Sequence, residues 1–263
     1  CPRLRIISSY SVGVDHIDLE AATLRGIPVG HTPGVLTETT ADLAFALLLA
    51  SARRVVESGA FLGRGAWATG QWEIDAFVGR DVHGATLGIV GLGPIGQAMA
   101  RRALGFGMRV VAIDPVRSEA PEGVEALWKP DRLPDLLGES DFVVIAAPHT
   151  PDTEKLFRRE QFRQMKPSAF LINIGRGAIV DLEDLTASLE AKEIAGASLD
   201  VFDIEPLPAG HALWDMDNVI ITPHVAGYSP RIAERHLEVI LDNVGRFVRG
   251  EGLRNVVNKA QWF

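Results

Sequence analysis

Three residues in the second half of the chain are of the types that carbonyl chemistry needs. Arg176 lies in Asn173-Ile174-Gly175-Arg176-Gly177, Glu205 in Asp203-Ile204-Glu205-Pro206, and His224 in Pro223-His224-Val225-Ala226-Gly227. A guanidinium grips an oxyanion through a planar fork of donors, and an imidazole gives or takes a proton near neutral pH. A carboxylate fixes the tautomer of that imidazole. Taken singly, each residue has a plainer reading: a loop arginine capping a helix, a turn glutamate, a hydrogen-bonded core histidine. Their joint placement downstream of a nucleotide fingerprint favours chemistry.

That fingerprint is Gly91-Leu92-Gly93-Pro94-Ile95-Gly96, which fits G-x-G-x-x-G. The pattern alone is weak, but here it follows the apolar run Leu87–Val90 and opens a helical segment, as the motif requires. Gly91 permits the tight turn, Gly93 lets backbone approach a pyrophosphate, and Gly96 lets helix pack close to strand. Pro94 has no N–H, so the Ile95 amide is the expected phosphate donor at the positive end of the helix. An acidic residue is expected about 20 positions on, at the end of the next strand. Asp114 stands there, directly after Val110-Val111-Ala112-Ile113. A carboxylate at that point accepts from an adenosine ribose and repels a 2′-phosphate, which predicts NAD over NADP; Arg117 nearby weakens the preference.

Composition narrows the partners. The 263 residues carry a formal charge of −8, and no Lys/Arg cluster is present, so a nucleic-acid partner is not expected. The longest apolar run, Leu43–Ala50, is well short of the ~18 residues a membrane span needs. Cys1 is the single cysteine and cannot form an internal disulfide, which points to a reducing cytoplasm.

Around the chemistry-bearing residues the pattern predicts alternating strands and helices. Strands are expected at 4–9, 27–29, 87–90, 109–113, 142–146, 170–174, 196–200 and 219–221, and helices at 19–25, 95–104, 133–137, 159–165 and 182–190. Continuous Val/Ile runs joined by helices mean a parallel sheet covered on both faces. Thr39 and Asp42 have capping-box spacing ahead of the apolar run 43–52, with Arg53-Arg54 at the negative end of the dipole. That helix, apolar on nearly every face, is expected to be buried between two domains. Residues 57–83 hold scattered glycines with Trp67 and Trp72 and no clear period, which reads as irregular and either interfacial or locally packed. A long helix is expected over 229–249, started by Ser229-Pro230.

With these residues in place, the chain resembles the D-isomer-specific 2-hydroxyacid dehydrogenases. Ser11-Val12-Gly13-Val14-Asp15-His16-Ile17-Asp18 is similar to the family's substrate loop, and Thr39-Thr40-Ala41-Asp42-Leu43 to the start of its interdomain helix. Pro148-His149-Thr150-Pro151-Asp152-Thr153 resembles its ribose-side loop, and Leu199-Asp200-Val201-Phe202 and Pro223-His224 complete the set. Ser8-Ser9-Tyr10-Ser11-Val12-Gly13 looks closest to the glyoxylate/hydroxypyruvate reductase branch. Pro94 stands where the family commonly has arginine.

The resemblance implies an α/β fold: a doubly wound parallel-sheet Rossmann NAD-binding domain at 37–228 and a flavodoxin-like substrate domain built from 1–36 and 229–263. The first includes an interdomain helix at 37–54 and a dimerisation arm at 55–83. The family carries several dozen residues ahead of Ile6-Ile7-Ser8-Ser9, so the substrate domain is expected to be incomplete, the chain being an N-terminal truncation. It further implies that Arg176, Glu205 and His224 are catalytic and that the Val12 and Gly13 amides hold the substrate carboxylate. Cofactor contacts would come from the glycine turn, Asp114, Ala147, Pro148, Thr153, Ile174, Gly227, Asp200 and Thr40. Asp200 and Thr40 would flank the nicotinamide, and His149 would wall the ribose pocket. The implied partners are a small 2-keto or 2-hydroxy acid and a second copy of the chain, with Trp67 or Trp72 reaching the partner's cleft; no metal is needed. Two other readings remain. A nicotinamide-sensing corepressor can retain the same three residues, whereas formate oxidation is disfavoured because that branch has glutamine beside its histidine.

Overall fold

The computed structural model describes residues 1–71 and 77–262. Its centre is a seven-stranded, all-parallel sheet formed by β3 (Thr86–Val90), β4 (Arg109–Ile113), β5 (Ala126–Trp128), β6 (Phe142–Ile145), β7 (Phe170–Asn173), β8 (Gly196–Leu199) and β9 (Val219–Ile221). The strand order is β5-β4-β3-β6-β7-β8-β9. The chain therefore winds one way from β3 to β4 and the other way to β6, which makes the β3/β6 junction the switch point of the fold. The strands expected from sequence are present, most of them ending within a residue of the expected bounds. β5 was not expected; only three residues long and half-buried, it lacks the unbroken Val/Ile run of its neighbours.

Alternation along the strands divides the core into two layers. Leu87, Ile89, Val110, Ala112, Phe142, Val144 and Ile172 face one side, where they meet α2 (Thr37–Arg53) and α4 (Pro94–Gly105). Val90, Val111, Ile113, Val143, Ile145, Leu171, Ala197 and Leu199 face the other, against α5 (Leu133–Glu139), α6 (Arg159–Gln164) and α7 (Leu182–Glu190).

Three local expectations need correction. First, Thr39 and Asp42 do not form a capping box: α2 begins three residues before such a box would start it, with Leu36 as its N-cap and no side-chain cap. Asp42 instead accepts from Arg102 Nε of α4 at 3.0 Å. Within the described residues α2 packs on the sheet, through Ala41, Ala44, Phe45, Leu47, Leu48 and Ala52, and the buried Ser51 and Ser198 hydroxyls meet at 2.6 Å. Burying each of the large side chains in this set contributes roughly 2–3 kcal/mol. Second, the start of the stretch expected to be irregular, residues 57–63, is helical: it lies in α3 (Val55–Gly63), none of whose residues is buried. Third, the C-terminal helix α8 (Ile232–Val248) starts after Arg231, so Ser229-Pro230 precedes it without initiating it.

A second, smaller cluster gathers Val14, Leu19, Ala22, Ile27, Val29 and Val257. It involves the two-residue parallel strands β1 (Ile7–Ser8) and β2 (Val29–Gly30), α1 (Leu19–Leu24) and the segment after α8. Asp18 caps α1 through the Ala21 amide at 2.8 Å. The tail is tied back where the Val257 amide donates to Val29 O at 2.8 Å. Among the described residues, no helix is long and apolar enough to cross a membrane.

Candidate active site

In an open parallel sheet the loops beyond the strand C-termini form the crevice where ligands bind; most of the expected site residues lie in such loops, while Thr40 lies in α2 and Ile95 and Gly96 in α4. Gly91 follows β3 with φ of +94°, a conformation that costs other residues dearly. A Cβ at residue 96 would stand 2.1 Å from Gly91 O, so the turn and the first turn of α4 can approach only with glycine there. No side chain caps α4 at Gly93, and Pro94 occupies its first turn, where a missing N–H removes nothing the helix uses. Asp114 ends β4 and receives the Leu92 amide on Oδ2 at 2.9 Å. Its Oδ1 takes the Val116 and Arg117 amides at 2.9 and 2.8 Å. The carboxylate thus organises the glycine turn and its own loop together, with lone pairs remaining for a ribose.

Other expected cofactor contacts divide into two groups. Ala147, Ile174 and Thr40 are buried, and Ala147 Cα packs so near Gly91 that a Cβ there would lie 2.8 Å from it. Thr40 Oγ1 is buried with no hydrogen-bond partner in the structure, an orphaned polar atom of the sort a ligand satisfies. Thr153 behaves differently: its hydroxyl donates to Pro148 O at 2.8 Å and accepts from the Thr150 amide at 2.8 Å. It closes the 148–153 loop on itself. Gly227 lies beside Leu36, at the entrance to α2.

Asp200 is fully buried at the end of β8. It accepts from the Val225 and Ala226 amides at 3.0 and 2.8 Å and from the Thr222 hydroxyl. These bonds fold the loop after β9 back over β8. His224, in that loop, adopts a left-handed φ of +52°, held by the Val225 and Ala226 amides that follow it. Its Nδ1 lies 2.7 Å from Glu205 Oε2, while Glu205 Oε1 accepts from the Phe202 amide at 2.9 Å. With Nδ1–H donating to the glutamate, Nε2 is left for a reacting atom. Both side chains are partly exposed, so the pair is open to a small molecule.

Arg176 follows β7. Asn173 shapes its loop by accepting from the Gly175 amide and donating to Arg176 O, both at 3.1 Å. The guanidinium is already engaged in a way the sequence did not reveal. Nε faces the Asp15 carboxylate at 3.2 and 3.3 Å, and Nη1 donates to Gly175 O at 3.0 Å. Nη2 lies over Gly13. Among the described residues the Val12 and Gly13 amides donate to no protein acceptor, and Ser11 Oγ braces their turn by donating to Gly13 O at 2.9 Å. Asp15, Ser11 and Asn173 are thus positioning residues that sequence reasoning missed. Asp15 bonds across 161 positions of chain, which no local pattern can register.

Arg176, Glu205 and His224 line one cavity of about 340 Å³ together with Asp15, His16, His149, Asp203 and Phe202. His149, expected at the ribose, opens onto this same cavity. A permanent cation and an acid-steered imidazole converge on a volume suited to a small molecule, and the cation's Nη2 lies against Gly13. They can hold a carboxylate beside a carbonyl and deliver a proton to its oxygen. The positive-φ glycine turn, the uncapped helix start and the orphaned Thr40 hydroxyl fit a dinucleotide alongside.

Comparison with known proteins agrees with this chemistry. The chain is 48% identical over 261 residues to glyoxylate reductases of Korarchaeum cryptofilum and Pyrococcus horikoshii, covering 98% of this chain and 77% of each of theirs. Its structure superposes with TM-score 0.90 on an NADPH-dependent glyoxylate/hydroxypyruvate reductase from Sinorhizobium meliloti, solved with NADP and malonate. That protein is 31% identical, and the match covers 99% of this chain and 79% of that one. The TT0316 protein from Thermus thermophilus matches with TM-score 0.86 and 48% identity, over 96% of this chain and 78% of that one. Residues 45–226 match the family described as D-isomer specific 2-hydroxyacid dehydrogenase, NAD binding domain. With that match over most of its length and a Rossmann sheet carrying the glycine turn, the chain belongs to the D-isomer specific 2-hydroxyacid dehydrogenase family.

Proposed function

We propose that this protein interconverts a small 2-keto acid of the glyoxylate or hydroxypyruvate type with its D-2-hydroxy acid, using NAD(H). The observation that carries the reading is the 2.7 Å His224–Glu205 pair facing the same cavity as Arg176. Arg176 Nη2 and the Val12 and Gly13 amides bind the substrate carboxylate, and the guanidinium also draws in the ketone oxygen. Such fixing of a small substrate supplies a large part of the rate. When bound, the nicotinamide cofactor supplies or accepts the hydride. His224 Nε2 donates a proton to the oxygen that gains charge during reduction and removes it during oxidation. Glu205 orients the imidazole through the 2.7 Å contact with Nδ1. Asp114 supports the choice of NAD(H), since a 2′-phosphate would meet its carboxylate.

The domain reading belongs to the same proposal: residues 37–228 bind the cofactor, and 1–36 with 229–263 contribute the substrate wall that includes Val12 and Gly13. A homodimer through 55–83 is supported by the apolar surface of Val55, Val56, Leu62, Trp67 and Val78, each more than half exposed. Trp72 lies outside the described residues.

The test is loss of reduced-nicotinamide absorbance when glyoxylate or hydroxypyruvate is added, run in parallel with NADH and NADPH. Turnover of either acid, faster with NADH, is expected. Cofactor binding without turnover of any 2-keto acid would overturn the enzymatic reading in favour of a nicotinamide-binding protein, and preference for NADPH would overturn the role given to Asp114.

A further inference from the structure

Asp200 is a buried carboxylate at the end of β8, and among the described residues no cation pairs with it. A buried charge is costly unless hydrogen bonds satisfy it. Here the Val225 amide and the Thr222 hydroxyl share Oδ1, at 3.0 and 2.5 Å, and the Ala226 amide takes Oδ2 at 2.8 Å. Among the described residues Thr222 is the side-chain donor of this set, and it stands outside the cavity that Arg176, Glu205 and His224 line.

The backbone of Thr222 is tied as well. Its amide donates to Leu199 O at 2.9 Å, and its carbonyl accepts from the His224 amide at 3.1 Å. Residues 222–226 are therefore held at both ends, by Thr222 and by the two amides on Asp200. Between these ties His224 keeps its left-handed φ of +52°, which a non-glycine residue retains only where its surroundings enforce it. The same turn sets His224 Nδ1 2.7 Å from Glu205 Oε2.

Resting on the function proposed above, we infer that Thr222 is a positioning residue for proton transfer, its hydroxyl fixing buried Asp200 so that the turn carrying His224 stays set against Glu205. Without the hydroxyl, Oδ1 keeps the Val225 amide alone, and the carboxylate must turn toward another donor or draw in water. Either movement shifts the amides of 225 and 226, and the imidazole with them. A displacement of about 1 Å costs about 100-fold in rate. With the two amide bonds surviving, a smaller shift and a loss of about tenfold are expected.

The test uses Thr222→Val, which keeps the side-chain shape and both backbone bonds, and Thr222→Ser, which keeps the hydroxyl. Glyoxylate reduction is measured for each, alone and combined with Glu205→Gln. Thr222→Val should lower kcat about tenfold with KM nearly unchanged, and Thr222→Ser should stay within about threefold of wild type. In the Glu205→Gln background Thr222→Val should cost less than about threefold, because the contact it protects is already weakened. An equal loss in both backgrounds overturns the inference, since a merely structural role is additive. So does a Thr222→Val enzyme with wild-type kcat, or a Thr222→Ser enzyme as slow as Thr222→Val. One measurement needs no variant to fold. In the wild type the Val225 and Ala226 amides should exchange with deuterium far more slowly than those of Val12 and Gly13, which donate to no protein acceptor among the described residues. Equal exchange at the two places also overturns it. A wild type that keeps slow exchange but reduces no 2-keto acid would instead overturn the proposed function itself.

Discussion

Replacing Gly13 by alanine isolates the placement of Arg176 from every other feature of the site. Gly13 is not in a left-handed conformation, so its backbone accepts alanine without strain. The added methyl is the perturbation: an ideal Cβ would lie 1.9 Å from Arg176 Nη2 and 2.9 Å from both Arg176 Cζ and Asp15 Oδ1. Ordinary contact begins near 3.4 Å, so the guanidinium end must retreat by 3.4 − 1.9 = 1.5 Å. The obstructing atoms are the far end of a flexible side chain, not backbone, so the fold should absorb the change. Chemistry should not, because a misplacement of about 1 Å can cost about 100-fold in rate, equivalent to about 2.7 kcal/mol of barrier. The expected result is a kcat/KM for glyoxylate about 100-fold below wild type, with the affinity for NADH and the Tm nearly unchanged. The assay combines steady-state reduction, a fluorescence titration of the cofactor and a thermal melt. A folded Gly13→Ala variant with wild-type kcat/KM would refute the idea that Arg176 must sit against Gly13.

Three further outcomes are expected. Glu205→Gln keeps the size of the side chain but removes the charge 2.7 Å from His224 Nδ1; kcat should fall about 100-fold with cofactor affinity unchanged, and stopped-flow reduction would show whether the loss lies in the chemical step. Gly96→Ala sets a methyl 2.1 Å from Gly91 O, and backbone cannot swing aside, so NADH affinity should drop more than about tenfold with roughly 1–3 kcal/mol of stability lost in denaturant titration. Glu193, hydrogen-bonded first by Arg159 and also by Arg163, has its pKa lowered to about 2. A depressed carboxylate stabilises above its unfolded value and loses that contribution as pH falls through the folded one. The stability difference between wild type and Glu193→Gln should therefore shrink between pH 4.5 and about 2, and a constant difference would contradict the pairing.

The sheet was legible because its signal is local and repeated. Runs such as Val110-Val111-Ala112-Ile113 face apolar layers on both sides, and each turn or helix that follows is marked within a few residues. β5 escaped because a short, half-buried edge strand owes its conformation to pairing with β4, not to its own pattern. The capping box failed for a related reason: Thr39 and Asp42 have the right types and spacing, but packing starts α2 earlier and hands Asp42 to Arg102. Ser229-Pro230 likewise carries an initiation signal, yet α8 starts only after Arg231.

The sequence by itself determined which groups are available: a glycine turn with an acid at the end of the next strand, and an arginine, glutamate and histidine each in a distinctive local setting. These depend on residue type and short spacing, which a linear text preserves. Tertiary structure alone decided how those groups are shared. It set Asp15 against Arg176 across 161 positions, folded the β9 loop onto buried Asp200 so that His224 meets Glu205, and brought His149 to the cavity lined by Arg176, Glu205 and His224. Such contacts join segments whose separation in the chain carries no periodicity, so they exist only once the sheet has brought its loops to one edge.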